Sequence, residues 1–101
     1  NMPSNLDAIK TYKENGVLYG LAKAANAGGV AVSALEMSQN SLRLSLTREE
    51  VDGRLKDIMA NIFDTAKTTA EKYNLGTDYL AGANIAAFEK IADAMIAQGL
   101  V

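Results

Sequence analysis

Apolar positions recur at intervals of three and four along most of this chain, a spacing typical of α-helices that bury one face. The clearest run begins at Thr47, which forms a capping-box pattern with Glu50, and Asn74 is placed to end it. We therefore predict a long amphipathic helix between these residues. Its apolar stripe consists of Val51, Leu55, Ile58, Met59, Ile62, Phe63, Ala66 and Ala70.

Two shorter helices are predicted before this long one. In the first, Ser4 is placed to cap the N-terminus and Gly16 follows the last turn. The second begins near Gly28 and runs to about Leu42, and its first half is apolar on almost every side. A helix of that kind is normally buried within a larger body. A free chain of 101 residues offers little protein to bury it, so we expect neighbouring protein that is not part of this chain.

A fourth helix and one short strand complete the predicted secondary structure. Thr77 or Asp78 opens the fourth helix, and Gly99 lies just past its end. The segment 17–21 is short and β-prone, so it could be the final strand of a sheet whose other strands lie outside this chain. The predicted fold is mainly α, with three to four helices and at most one short strand. The apolar face of the fourth helix consists of Ile85, Phe88, Ile91, Ala92 and Met95.

The composition narrows the class of protein. A formal net charge of -2 and a pI near 5.0 leave no basic surface for nucleic acid. The absence of cysteine excludes disulfides and thiolate chemistry, and the absence of histidine removes the commonest metal ligand and neutral-pH acid–base group. No uninterrupted apolar stretch reaches the roughly 18 residues of a membrane span. We therefore expect a cytoplasmic protein that binds no nucleic acid, membrane or metal.

The candidate chemistry lies in the second helix, where small apolar residues are mixed with a few polar ones. Ser33 shares a helical face with Val30, one turn beyond the pair Gly28–Gly29, and its hydroxyl could bind one end of a small polar substrate. The structural alternative is a hydrogen bond back to a main-chain carbonyl. Because no histidine is present to activate Ser33 as a nucleophile, any role of this residue is in binding.

Asn26 also has two interpretations. It can cap the second helix, or it can present the donor and the acceptor of its amide to a ligand. The glycine pair lacks the G-x-G-x-x-G spacing and no complete βαβ unit precedes it, so we do not predict a dinucleotide-binding turn. The carboxylates of the third helix alternate with lysines, which is typical of a solvated face. Residue chemistry alone identifies no catalytic residue and no metal site in this chain.

Part of this segment resembles a signature of the hexameric glutamate dehydrogenases, namely the run Lys-Ala-Ala-Asn-Ala-Gly-Gly-Val that ends at Val30, with Ser33 after it. Residues 47–59 and 81–95 resemble two further family segments, so the likeness runs from end to end. The bacterial small hexameric type is the most similar, and the chain resembles its C-terminal end. The resemblance implies an incomplete C-terminal piece of a Rossmann-type two-domain dehydrogenase. Residues 1–101 would close the cofactor domain and return to the substrate domain.

The resemblance also implies roles for four residues. Ser33 would hydrogen-bond the side-chain carboxylate of glutamate or 2-oxoglutarate, and Val30 would pack against the methylene groups of the substrate. Asn1 and Asn26 would lie beside the nicotinamide end of NAD or NADP. The family's catalytic residues and its glycine-rich dinucleotide turn would lie upstream of this chain. Ala34 stands where many members have glycine, which would slightly alter the wall of the pocket.

The implied activity is the reversible oxidative deamination of L-glutamate to 2-oxoglutarate and ammonia with NAD or NADP, carried out by a hexameric full-length parent. The chain alone would be inactive, would bind neither cofactor measurably and would self-associate through uncovered apolar surface. One alternative is a leucine or phenylalanine dehydrogenase, in which a serine aimed at a carboxylate would have no partner. Another is a free-standing helical interaction module that binds a partner helix through Phe63 and Phe88.

Overall fold

A computed structural model describes residues 1–99, which form four α-helices joined by short connections. α1 spans Leu6–Glu14, α2 spans Ala22–Leu42, α3 spans Arg48–Lys72 and α4 spans Tyr79–Gln98. No strand lies among the described residues. The prediction of a mainly helical fold with three to four helices and at most one short strand is therefore confirmed, and segment 17–21 forms no strand here. None of these helices is both long and apolar enough to cross a membrane.

Segment 17–21 is a connection between α1 and α2 instead of a strand. Gly16 ends α1 as predicted, with a φ of +67°, and the Val17 amide donates to the Tyr12 carbonyl at 2.9 Å to close the last turn. Because the described residues offer no other strand, the segment has no ladder partner. Its one aromatic contact is local: the rings of Tyr19 and Tyr12 stack with centroids 5.8 Å apart.

Side-chain caps begin α3 and α4 as the sequence predicts. The Thr47 amide donates to Glu50 Oε2 at 2.7 Å, and the Glu50 amide donates to Thr47 Oγ1 at 3.2 Å. The backbone and side-chain hydrogen bonds from Thr47 hold the pKa of Glu50 below its usual value. Asp78 caps α4 by accepting from the Ala81 amide at 3.1 Å. Gly99 follows α4, again as predicted.

The caps predicted for α1 and α2 are wrong. Asn5, and not Ser4, caps α1, because its side chain accepts a backbone amide of the first turn at 2.9 Å. α2 begins at Ala22, more than a turn before the predicted start near Gly28. Asn26 therefore lies inside α2 and caps nothing. The alanine-rich sequence before the glycine pair has high helix propensity, and it outweighs the cost of about 1 kcal/mol for each internal glycine.

The buried core lies where α3 crosses α4. Ala66, Thr69 and Ala70 of α3 are buried, and so is Gly82 of α4. A β-carbon added to Gly82 would overlap the carbonyl oxygen of Ala66 and would lie 3.0 Å from the β-carbon of Ala70. These side chains are short enough for the two backbones to touch. The core is therefore narrow and depends on the absence of a side chain at position 82.

Outside this core the described chain is loosely packed. The radius of gyration of the whole structure is 16.6 Å, against about 13 Å for a compact domain of this length. No residue of α2 is buried, which agrees with the expectation that this helix lacks covering protein. The large apolar or aromatic side chains that remain exposed include Leu6, Leu18, Val30, Met37, Leu42, Leu44, Phe63, Phe88, Ile91 and Ile96.

Polar side-chain contacts join α1 to the cap of α4, and α3 to α4. Lys13 of α1 pairs with Asp78 at 2.8 Å. Burial raises the pKa of Asp78. The hydrogen bonds that it accepts from Lys13 and from the backbone lower the pKa by more, so the net pKa lies below the usual value. At the C-terminal end of α3, Lys72 donates to Glu89 at 2.6 Å and the Tyr73 hydroxyl donates to it at 2.5 Å. Both bonds hold the pKa of Glu89 low.

Candidate functional site

One face of α2 carries three of the four residues singled out from the sequence. Asn26, Val30 and Ser33 follow one another at helical spacing and all three are exposed. Val30 has 69% of its surface exposed, and Met37 continues the stripe at 65%. The structure therefore brings these side chains onto one uncovered face, which we call the α2 outer face, and leaves it available to protein or ligand outside the described residues.

The Ser33 hydroxyl donates to the carbonyl oxygen of Gly29 at 3.1 Å. This hydrogen bond is the structural alternative considered from the sequence. It does not prevent binding, because the Gly29 carbonyl also accepts the helical amide one turn later. If the hydroxyl turned to a carboxylate, it would exchange a neutral acceptor for a charged one, and charge-assisted hydrogen bonds are about twice as strong. That Ser33 binds an anionic group at the α2 outer face stays a prediction.

The two glycines of α2 differ in their surroundings. A β-carbon at Gly28 would lie 3.2 Å from Leu55 Cδ1 and 3.2 Å from Met59 Sδ, both on α3. One at Gly29 would meet nothing within 4 Å. Gly28 is therefore a packing residue between α2 and α3. Since the pair lies inside a regular helix, its amides are not gathered into a phosphate-binding turn, as the spacing predicted.

The C-terminal end of α2 is tied to the loop that leads into α3. The Gln39 side chain accepts the Leu46 amide at 2.8 Å, and Arg43 adopts a left-handed conformation with a φ of +54° to turn the chain. α2 is therefore held at two points, by Gly28 in its first third and by Gln39 near its C-terminal end. No sequence pattern indicated the Gln39 contact, because the hydrogen bond depends on how the loop folds back.

Asn1, the fourth predicted site residue, is exposed and lies before α1. Its neighbour Met2 lines a cavity of about 230 Å³ together with Ala22 and Lys23 of the first turn of α2. The start of the chain therefore lies beside the start of α2. The role of Asn1 next to a cofactor stays a prediction.

Among residues 1–99, no group of three or more acidic side chains is placed to hold a metal ion. Ser33 has no basic side chain as a hydrogen-bond partner; its hydroxyl bonds to the backbone. The residues of the α2 outer face accordingly supply no nucleophile or general base for catalysis, and a role in binding a ligand stays a prediction.

Comparison with known proteins identifies the family. The sequence model of the Glutamate/Leucine/Phenylalanine/Valine dehydrogenase family matches residues 1–99. The NADP-specific glutamate dehydrogenase of Giardia intestinalis is 57% identical over the whole chain, and the NAD-specific enzyme of Clostridium symbiosum is 50% identical over 99% of it. The chain spans only 22% of the length of each relative. The relatives come from varied organisms and do not restrict the likeness to bacteria.

The same likeness holds in three dimensions. A solved glutamate dehydrogenase from Plasmodium falciparum superposes on the whole chain with a TM-score of 0.92 and 53% identity, and the matched part is 22% of that structure. A second solved glutamate dehydrogenase gives a TM-score of 0.92 with 50% identity. Sequence and structure agree from end to end, so the chain belongs to the glutamate/leucine/phenylalanine/valine dehydrogenase family.

Proposed function

We propose that this chain is the C-terminal part of a cytoplasmic, hexameric glutamate dehydrogenase of Rossmann type. The full-length protein catalyses the reversible oxidative deamination of L-glutamate to 2-oxoglutarate and ammonia with NAD or NADP. Residues 1–101 close its cofactor domain and return to its substrate domain. The observation that carries the proposal is the end-to-end match to relatives named glutamate dehydrogenase, at 48% identity in Bacteroides thetaiotaomicron and 57% in Giardia intestinalis.

The α2 outer face supports glutamate over the other amino acids in the family description. Ser33 presents a hydroxyl that can donate to a carboxylate, and Val30 beside it presents an apolar surface for methylene groups. Leucine, phenylalanine and valine have no side-chain carboxylate, so the Ser33 hydroxyl would have no acceptor on these substrates. We assign Ser33 and Val30 to the substrate side chain.

Two asparagines, Asn1 and Asn26, are our candidates for contact with the nicotinamide end of the cofactor. Asn26 is exposed on the α2 outer face and caps no helix, so its amide can offer a donor and an acceptor to a nicotinamide carboxamide. The glycine pair Gly28–Gly29 lies inside α2, so it forms no turn that could bind the cofactor phosphates. We assign Asn26 and Asn1 to the nicotinamide end, and the phosphate site to the upstream part of the protein.

NAD or NADP, with Asn1 and Asn26 beside its nicotinamide end, would supply the hydride acceptor for the oxidation at the α-carbon of glutamate. The residues of this chain contribute binding and orientation. Ser33 holds the far carboxylate and Val30 fills the space along the methylene groups. Together they fix the distance from the side-chain end of the substrate to its α-carbon, which matters because small errors in position cost large factors in rate. No group in the described residues moves a proton in this scheme.

Spectrophotometric assays of the full-length protein test the proposal. With NAD and NADP in separate reactions, we expect turnover of glutamate to exceed that of leucine, phenylalanine and valine. We expect no turnover by residues 1–101 alone and no cofactor binding by calorimetry. Preference for an apolar amino acid would contradict the substrate assignment. Activity or tight cofactor binding by the isolated chain would contradict its assignment as an incomplete site.

The isolated chain is also expected to self-associate. Its exposed apolar side chains include Val30, Phe88 and Ile96, which are 69%, 69% and 82% exposed, and apolar surface of this kind promotes association. Sedimentation over about a hundredfold range of concentration measures the effect. A monomer throughout that range would contradict this expectation.

If a full-length protein proved inactive and a helical peptide bound at Phe63 and Phe88, the alternative of an interaction module would be supported instead.

A further inference from the structure

Gly28 and the proposed substrate residues lie on opposite sides of α2. At 3.6 residues per turn, Ser33 is about 140° from Gly28 around the helix axis, and Val30 is about 160° from it in the other sense. Gly28 points to α3, where an added β-carbon would lie in tight contact with Leu55 and Met59, at 3.2 Å from each, and a longer side chain would have to displace one of them or α2 itself. Ser33 and Val30 are exposed. The depth at which α2 rests on α3 therefore determines how far the α2 outer face projects.

α2 runs as one continuous helix through Gly28, so we expect crowding on one side to shift the helix as a unit. α2 is also held at Gln39, whose side chain accepts the Leu46 amide at 2.8 Å. A larger residue at position 28 would therefore tilt α2 about its Gln39 end. The displacement would increase with distance from Gln39, so it would be greatest at Asn26, smaller at Val30 and smaller again at Ser33.

We propose that Gly28 is a positioning residue for substrate specificity, acting through the contact of the α2 backbone with Met59 and Leu55. This inference rests on the proposed function, because it assumes that Ser33 and Val30 meet the substrate side chain. Gly28 touches neither substrate nor cofactor. Its missing side chain keeps the Ser33 hydroxyl at the depth that suits a carboxylate two methylene groups beyond the α-carbon.

The test uses Gly28→Leu in the full-length protein. Leucine has a higher helix propensity than glycine, so a loss cannot come from weaker helix formation. We expect kcat/KM for glutamate to fall by about tenfold to a hundredfold, the range for a displacement approaching 1 Å, mainly through KM. Norvaline lacks the side-chain carboxylate, so its kcat/KM should fall much less.

Three companion variants make the result specific. Gly53→Leu places the same side chain on α3, where an added β-carbon meets nothing within 4 Å, and it should leave the ratio of the two substrates unchanged. Gly28→Leu combined with Met59→Ala reopens the space and should restore most of the preference for glutamate. Gly28→Ala, whose methyl group needs its neighbours to yield only slightly, should shift the ratio in the same direction by about twofold.

The rescue separates positioning from folding. Met59→Ala by itself removes packing between α2 and α3, so a purely structural defect would become worse in the double variant. Equal losses on glutamate and norvaline, or no rescue, would overturn the inference. If Gly28→Leu failed to fold, an unchanged substrate ratio in Gly28→Ala would overturn it. A wild-type protein without activity on glutamate would contradict the proposed function instead, and a crystal structure of Gly28→Leu with α2 undisplaced would refute the positioning role independently.

Discussion

Replacing Gly82 by alanine is expected to destabilise the chain by about 3 kcal/mol, at the upper end of the cost of overpacking. The added methyl group would overlap the Ala66 carbonyl oxygen and would press on Ala70, which is fully buried. A flexible side chain could move aside, but a helix carbonyl cannot do so without breaking its own hydrogen bond. α4 would have to separate from α3, and this contact is the core of the described chain.

Urea unfolding followed by far-UV circular dichroism measures this loss. Gly53→Ala is the matched control, because it makes the same change in a helix where the new methyl group meets nothing. That control should gain about 0.5–1 kcal/mol from the higher helix propensity of alanine. The two variants should therefore shift the unfolding midpoint in opposite directions. A Gly82→Ala midpoint equal to or above that of the wild type would show that α3 and α4 are not packed as described.

In the full-length enzyme, Ser33→Ala is expected to weaken transition-state binding of glutamate by about 1–3 kcal/mol, or roughly fivefold to 150-fold in kcat/KM. The substitution leaves a substrate carboxylate without its hydroxyl donor. The loss of the Gly29 hydrogen bond itself should matter little, because that bond is exposed and its acceptor remains in the helix. Activity on norvaline should fall much less.

Steady-state kinetics on both substrates decides this assignment. Ser33→Thr keeps the hydroxyl and should retain more activity on glutamate than Ser33→Ala does. Ser41→Ala makes the alanine change elsewhere on α2, at another exposed residue, and should leave both activities near wild type. If Ser33→Ala lowered activity on glutamate and norvaline by the same factor, Ser33 would act through folding and the pocket assignment would be wrong.

The candidate site was predictable in part because helical spacing is a local property. Ser33 and Val30 were expected on one face, and both are exposed there. Asn26 joins them only because α2 begins at Ala22, so this residue is a helix position and not a cap. The start of α2 was hard to predict because a glycine pair indicates a turn when the packing around it is unknown. Gly28 remains helical in a place where α3 lies close against it.

The sequence by itself determined where α3 and α4 begin, because their caps depend on residues close together in the chain. The capping box of Thr47 and Glu50 and the cap at Asp78 depend on residues three positions apart, which meet as soon as one turn forms. The tertiary structure alone decided how closely those helices approach. The contact of Gly82 with Ala66 and that of Gly28 with Met59 join different helices. Their distances depend on the angle and separation at which two helices cross, and the spacing of apolar residues along one helix does not predict these. The same limit applies to segment 17–21, because a β-prone stretch becomes a strand only where another backbone is available to pair with it.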